Sequence, residues 1–387
     1  MLDKPRFPSE VGDAAPPCYG VDADGTFYTS ETQYGRPALM ILLGAEATGA
    51  VPAILAELTQ CRPRFAASGA DMFVIVDDDP RSLPKAGKLW SGAGSSEPVD
   101  GTHRRPAMTV STDRATIQAV TAPDSLPIRT IDCGGFLARC GVGSSDTLIL
   151  ILDRNLRIAM RAIPVDHPAL AAACLACLDA LPVEPPRDIR TPAPAIVLPN
   201  LLPPSMCRDL IALFDSSQTI DGAVARVDAA GMSGNVVDHA KKHRRDMLLE
   251  PDSQLHAILR DLLLNRCAPE IAKAFQARVA FTDRILLARY DGPDGLFRRH
   301  RDNTAAHVAF REFALSVNLN AGDYQGGDLL FPEYNDHRYA MPTGGGVIFS
   351  ASVLHEVAPV TAGSRYVLLT FLHGQRAEQR RLAQTSG

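Results

Sequence analysis

Two kinds of periodicity divide this chain. Up to about residue 181, apolar runs of strand length alternate with stretches whose apolar residues recur at helical spacing. From Phe281 onward, short apolar and alternating runs follow one another with no helical stretch between them. In the first region, Ala38–Leu43, bounded by Gly35 and Gly44, predicts a buried strand, Val51–Leu58 a helix and Asp71–Val76 a second strand. Lys85–Thr109 predicts a long polar connection, Ala107–Val110 a strand, and Asp113–Val120 and Gly134–Gly141 short helices. Thr147–Leu152 and Arg157–Ile163 predict a hairpin around Asp153-Arg154-Asn155, followed by a helix over His167–Leu181. Such a β-helix-β rhythm implies an α/β domain with a partly parallel sheet.

A run of prolines from Pro182 to Pro204 cannot sustain a helix and predicts a stiff connection. This gives a first domain over 1–182, a linker over 183–194 and a second domain over 195–387. Beyond the linker, Ala195–Leu198 predicts a strand, and Ser205 caps a helix over Met206–Phe214. Gly222–Asp246 predicts a mobile loop or hairpin. Its basic cluster, Lys241, Lys242, His243, Arg244 and Arg245, reads as a solvated face or as a rim attracting an acidic substrate or partner. Asp252–Phe275 supports one or two helices, with Pro269 restarting the second. Strands are predicted at Ile285–Tyr290, Leu296–His300, Phe313–Leu319, Asp328–Phe331, Arg338–Met341, Gly346–Phe349, His355–Val357 and Tyr366–Leu372. That density of short strands, with Gly and Pro turns, predicts a double-sheet jelly roll with flanking helices.

Composition narrows the partners more than the fold. With 387 residues, 46% hydrophobic and 21% charged, the chain has enough apolar material for two cores. A net charge of -5 sets up no global field for nucleic acid or an anionic membrane. The first twenty residues carry Asp3, Lys4, Arg6 and Glu10, and no run approaches the roughly 20 apolar residues of a membrane span. A cytoplasmic location is therefore expected. Eight scattered cysteines do not form a disulfide framework.

Candidate chemistry sits in the second domain. His300 and Asp302 are two apart, so on an extended strand they leave one face and reach one metal ion. His355, following the apolar run Val347–Phe349, is the natural third ligand. Two imidazoles and one carboxylate form the facial set that holds non-heme Fe(II) with positions left open. Asn318 and Asn320 alternate with apolar residues, which directs both toward co-substrate or substrate. Phe331 and Phe349 are expected to pack the roll, and Arg301 to point away from the metal pair. His307 and His337 lack the ligand spacing.

These residues resemble the 2-oxoglutarate and Fe(II)-dependent oxygenases, in their prolyl 4-hydroxylase-like branch, over about Ala195–Gly374. The matching stretches are His300-Arg301-Asp302, Gly326-Gly327-Asp328-Leu329-Leu330-Phe331-Pro332, His355-Glu356-Val357-Ala358-Pro359-Val360 and Arg365. The resemblance implies His300, Asp302 and His355 as metal ligands and catalytic residues. It also implies Arg365 as the clamp on the distal carboxylate of 2-oxoglutarate, with Tyr290 bonding the same group. The implied reaction is hydroxylation of a C–H bond by O2, with succinate and CO2 as co-products and ascorbate as a stimulant. The substrate would be a peptidyl residue, prolyl among them, in a peptide or protein, or a small amino-acid-like metabolite.

Residues 15 to 182 resemble a thioredoxin-like fold of the peroxiredoxin branch. The resemblance is carried by Gly35-Arg36-Pro37, the turn Gly44–Ala50, Ile131-Asp132-Cys133-Gly134-Gly135 leading to Cys140-Gly141-Val142, and the Leu148–Ala162 hairpin. The family's nucleophilic cysteine falls three residues past a threonine. Here Thr48 is followed by Gly49, Ala50 and Val51, so the thiolate is missing. Cys174-Leu175-Ala176-Cys177 lies mid-helix, where no helix N-terminus activates its first thiol. A redox-inactive domain for packing, substrate capture or pairing into a homodimer is implied. The competing functions are a thiol peroxidase with an unusual cysteine and a non-catalytic binding or scaffold protein.

Overall fold

Six consecutive apolar residues, Ala38–Leu43 (β3), form the centre of the first sheet because both faces of that strand are covered. The computed structural model describes residues 10–22, 27–33, 35–44, 47, 51–76, 129–132, 136–164, 169–182, 188, 190–227 and 233–385. The chain divides into two units, Met1–Glu184 and Pro185–Gly387.

In the first unit, β3 pairs parallel with Asp71–Val76 (β4), which pairs parallel with Arg129–Asp132 (β5). On its other edge β3 pairs antiparallel with Thr147–Leu152 (β6), which forms a hairpin with Ile158–Ala162 (β7). An antiparallel hairpin, Tyr19–Asp22 (β1) and Phe27–Thr29 (β2), extends the sheet beyond β5. Alternation on β3 sorts the cores. Leu39, Ile41 and Leu43 pack with helices Val51–Gln60 (α1), Arg62–Ala67 (α2) and Leu170–Asp179 (α4). Met40 and Leu42 pack with the short helix Phe136–Arg139 (α3). The β4-β3-β6-β7 pairing, with helices on both faces, is a thioredoxin-like core.

Val51 opens α1 as a buried core residue. The predicted elements between 85 and 120, and Thr48, Gly49, Ala50, Cys133 and Gly134, lie outside the described residues. Burial pushes the Cys174 thiol up to about 12, with Cys177 and Glu57 adding to the shift, and burial raises Cys177 as well. Both thiols are protonated at neutral pH and packed in the core, not poised for exchange.

The second unit is built on two sheets. The larger runs Ala195–Leu198 (β8), Gly346–Ser350 (β19), Phe313–Asn318 (β16), Val360–His373 (β21), Phe281–Asp291 (β14), Arg245–Leu248 (β13) and Ile220–Asp221 (β9), with Tyr324–Gly326 (β17) also paired to β21. The smaller runs Lys242–His243 (β12), Leu296–His300 (β15), His355–Val357 (β20) and Leu329–Leu330 (β18). A hairpin of Val224–Val227 (β10) and Ser233–Val236 (β11) stands apart from both.

On β14 and β21 the side chains alternate between two cores. Ile285, Leu287, Leu368 and Leu372 pack beneath helices Pro204–Ser216 (α5) and Gln254–Phe275 (α6). Leu286, Ala288, Tyr290 and Val367 face the opposite way, among Leu329, Phe331 and Val357 from the side of the smaller sheet. That inner layer is where the functional residues gather.

Several sequence expectations need correction. Pro203, not Ser205, holds the cap position of α5, and Pro204 starts the helix. A proline fits there because a first-turn N–H has no intrahelical partner anyway. Arg338–Met341 is not a strand; Tyr339 makes a single bridge to Leu329, and two-residue β18 offers no longer ladder. The helix Gln375–Thr385 (α7), polar almost throughout, went unpredicted. Among the described residues, no helix is long and apolar enough to cross a membrane.

Pro269 does not divide its helix. Helix α6 is continuous, capped by Ser253 accepting from the His256 amide at 3.2 Å. Leu259, Leu263, Cys267 and Ile271 recur every four residues as a buried stripe that holds the helix together through the proline. Pro269 itself is exposed, so its replacement removes no packing. Pro269→Ala restores a backbone donor and is expected to stabilise the unit by about 1–3 kcal/mol, read as a raised denaturant midpoint with unchanged m-value.

Candidate active site

The two histidines are cross-strand partners. His300 closes β15, His355 opens β20, and the antiparallel register sets them opposite each other. Strand β15 ends at His300, so Asp302 does not share an extended strand with it as the spacing had suggested. A turn carries the aspartate back instead, held where the Asp302 amide donates to the Ala351 carbonyl at 2.9 Å. The result is a compact donor set whose ligand atoms all lie within 4.8 Å of one another.

Ring orientation decides what the set can do. His300 Nδ1 lies 2.8 Å from the Arg298 carbonyl, and His355 Nδ1 lies 3.0 Å from that of Val353. Each Nδ1–H donates to its carbonyl, leaving the Nε2 lone pair to face inward. The two Nε2 atoms stand 3.5 Å and 3.4 Å from the two carboxylate oxygens of Asp302. Phe297 stacks on His300, ring centroids 3.4 Å apart, and Phe349 meets His355 edge-on at 4.6 Å. Burial pushes the His355 imidazole down to about 4, against the pull of Asp302. Burial alone would raise the Asp302 carboxyl, but His355 and His300 hold it down at about 2. The set therefore offers a neutral His355 nitrogen and an anionic Asp302 oxygen at neutral pH, beside the inward Nε2 of His300, the donor types that suit a divalent metal such as Fe(II).

A cavity of about 580 Å³ opens over these donors. Its apolar wall includes Leu286, Leu369 and Phe371 from the inner face of the larger sheet and Phe297 and Val357 from the smaller. Lys242, Arg244 and Asp246 also line it. Lys242 and Arg244 are buried while His243 and Arg245 are exposed, so the basic cluster is neither wholly a solvated face nor a rim. Asp246 accepts from Arg244 at 2.5 and 3.0 Å and lies 3.4 Å from Lys242 Nζ. Burial pushes the Lys242 ammonium down to about 7, helped by the Arg244 charge. The signal for this trio was present as polar residues at every second position, the spacing of one strand face.

Tyr290 lines the same cavity, and its hydroxyl accepts from Arg244 at 3.0 Å. Arg365 is its cross-strand partner, with the guanidinium 5.5 Å from the Tyr290 ring centroid. Arg365 is buried and lines a narrow chamber with Asn318, Tyr324 and Gly327. The chamber shares Ser316 and Leu329 with the main cavity. Among the described residues Arg365 makes no hydrogen bond or ion pair, which leaves a buried guanidinium fork for an anion. Asn318 sits in the chamber, donating to the Met341 carbonyl at 2.7 Å and accepting from the Tyr324 hydroxyl at 3.1 Å.

Asn320 is a correction. β16 ends at Asn318, and the Asn320 amide donates to the Ser364 carbonyl and accepts from the Tyr366 amide, both at 2.9 Å. It ties a turn to β21 and lines neither space. Arg301 is paired with Glu333, and Asn303 donates to Ser352 Oγ at 2.7 Å, so both brace the loop that carries Asp302. His307 lines the cavity outside the donor set.

Comparison with known proteins agrees with this geometry. The family model described as the 2OG-Fe(II) oxygenase superfamily matches residues 285–373, which contain all three donors and Arg365. A PKHD-type hydroxylase of Paraburkholderia xenovorans is 31% identical over 172 residues, covering 42% of this chain and 68% of that protein. A solved prolyl hydroxylase of Trichoplax adhaerens, in complex with a hypoxia-inducible-factor peptide, aligns at 18% identity and TM-score 0.38, over 49% of this chain and 86% of that one. A peroxidoxin of Mycobacterium tuberculosis aligns at 13% identity and TM-score 0.32, over 45% of this chain and 98% of that one. The chain belongs to the 2OG-Fe(II) oxygenase superfamily, an oxidoreductase akin to the PKHD-type hydroxylases.

Proposed function

We propose that this protein is a dioxygenase that uses Fe(II), 2-oxoglutarate and O2 to hydroxylate a C–H bond of a peptidyl residue or a small amino-acid-like metabolite. Succinate and CO2 are the co-products. The observation that carries the reading is the donor set itself, His300, Asp302 and His355, converging at the wall of a cavity with both Nε2 atoms turned inward. The two facing sheets are read as a double-stranded β-helix, whose interior is the cavity.

Each residue then has a defined task. His300, Asp302 and His355 hold the metal, and the backbone bonds on both Nδ1 atoms fix the ring planes so that the donor geometry is set in advance. When bound, the metal with its co-substrate and O2 supplies the oxidation of the C–H bond. Arg365 takes the distal carboxylate of 2-oxoglutarate, with Asn318 and Tyr324 completing the chamber. Tyr290 separates Arg365 from Arg244 and keeps the fork aimed. Phe297, Phe349 and Val357 exclude water around the donors and strengthen each electrostatic contact there.

His300→Ala is expected to abolish tight Fe(II) binding and to lower coupled succinate formation by at least about 100-fold. Retention of full coupled activity in this variant would remove the metal assignment. A second expectation concerns Gly327, at φ +70, where an added Cβ would lie 2.9 Å from Arg365 Cδ. Gly327→Ala is expected to displace the guanidinium and raise the KM for 2-oxoglutarate about 10-fold or more, the loss of a charge-assisted hydrogen bond. Fe(II) affinity should be spared, which equilibrium dialysis of the variant checks.

A further inference from the structure

The cavity holds more positive charge than its co-substrate can use. Of its lining cations, Arg244 and Lys242 share Asp246, Arg311 is paired with Asp283, and Arg301 with Glu333, while half-buried Lys241 has no side-chain partner among the described residues. Arg284 also lines the cavity and, among the described residues, makes neither a hydrogen bond nor an ion pair. Its nearest marked contact is the Phe371 ring, 5.9 Å from Cζ to centroid. Asp283 beside it is already engaged by Arg311, at 2.6 Å. Arg284 is exposed at the cavity wall; surrounding protein and the Arg311 charge disfavour its positive form, and Asp283 and Asp246 offset part of that.

Its position excludes service to 2-oxoglutarate. The ladder between β14 and β21 shifts register between Thr282 and Ile285, and Arg284 lies in that irregularity. It precedes Leu286, Ala288 and Tyr290 on the inner face. Arg284 and Tyr290 are six residues apart, about 20 Å along a strand. A five-carbon diacid clamped by Arg365 beside Tyr290 cannot span that length. Nor does the charge balance require it, since Fe(II), the Asp302 carboxylate, a 2-oxoglutarate dianion and Arg365 together sum to neutrality.

We propose that Arg284 anchors a carboxylate on the substrate to be oxidised, whose apolar part lies against Leu286, Leu369 and Phe371 in the same cavity. The substrate class is thus an amphipathic carboxylate, either a free acid or an acidic residue of a peptide. This rests on the oxygenase reading above.

The test is calorimetric titration of the protein loaded with Fe(II) and 2-oxoglutarate under anaerobic conditions. The probes are straight-chain carboxylates of four to ten carbons with their primary amides, and a blocked tripeptide with a central glutamate or glutamine. At least one carboxylate is expected to bind about 10-fold or more tightly than its neutral counterpart. Arg284→Gln should weaken it about 10- to 100-fold and erase the preference, and Arg284→Lys should restore part of it. Selectivity among the fatty acids points to a free acid, and selectivity for the glutamyl peptide to a peptide. No carboxylate preference in any pair overturns the proposal, as does an Arg284→Gln variant that loses affinity for 2-oxoglutarate and not for the probe. A wild-type protein that fails to take up Fe(II) or 2-oxoglutarate at all overturns the oxygenase reading and this proposal with it.

Discussion

The site depends on a pair of short-range hydrogen bonds, each from an imidazole Nδ1 to a carbonyl two residues earlier. Without them either ring could present either nitrogen. With them, the Nε2 lone pairs converge on Asp302 before any metal arrives, and little ordering remains to be done on binding. The rest of the unit serves this arrangement. Register between β15 and β20 sets the two histidines opposite each other, and the Asp302 amide is tied to Ala351 just after β19. Strands β15 and β20 are short, so their stiffness comes from what they pack against: Phe297, Phe349 and the inner face of a sheet backed by α5 and α6.

The same cavity tolerates several charges because nearly all are matched. Two buried cations on β12 and the residue after it converge on one carboxylate, and isolated buried charges of that kind would be strongly destabilising. Arg244 gains a further partner in the Tyr290 hydroxyl. Against this background, two guanidinium groups that line the cavity or the chamber beside it have no hydrogen bond or ion pair among the described residues: Arg365, which is buried, and Arg284, which is exposed at the cavity wall.

How much of this could be read beforehand depends on the range of the interaction. The convergence of His300, Asp302 and His355 was legible from their spacing, which is local, but the route was not: Asp302 reaches the set through a turn and not by strand period. The burial of Lys242, Arg244 and Asp246 was legible in principle, since alternate positions share a strand face, but a basic cluster looks like surface when its polar residues are counted together. Arg284 shares the alternation of Leu286, Ala288 and Tyr290, but that a cavity lies before it depends on the packing of distant strands, which no local pattern encodes. Asn320 misled for the opposite reason. The alternation that grouped it with Asn318 holds only while the strand lasts, and β16 ends at Asn318, two residues short. Pro269 was taken as a break because propensity is local, while the buried stripe that overrides it is tertiary.

The division of labour along β14 explains why reaction type and substrate are unequally visible. The three donors, His300 and His355 on the smaller sheet and Asp302 in the turn after β15, lie at one place, and Arg365, the proposed clamp, stands opposite Tyr290. The proposed substrate contact, Arg284, falls at the far end of the strand, within the ladder irregularity between Thr282 and Ile285. A change there alters which anion is held without moving the metal donors, because no contact of Arg284 passes through them. In the first unit, Cys174 and Cys177 are held protonated by burial. On the proposed reading, specificity changes at a single position of the inner face while the three donors stay as they are.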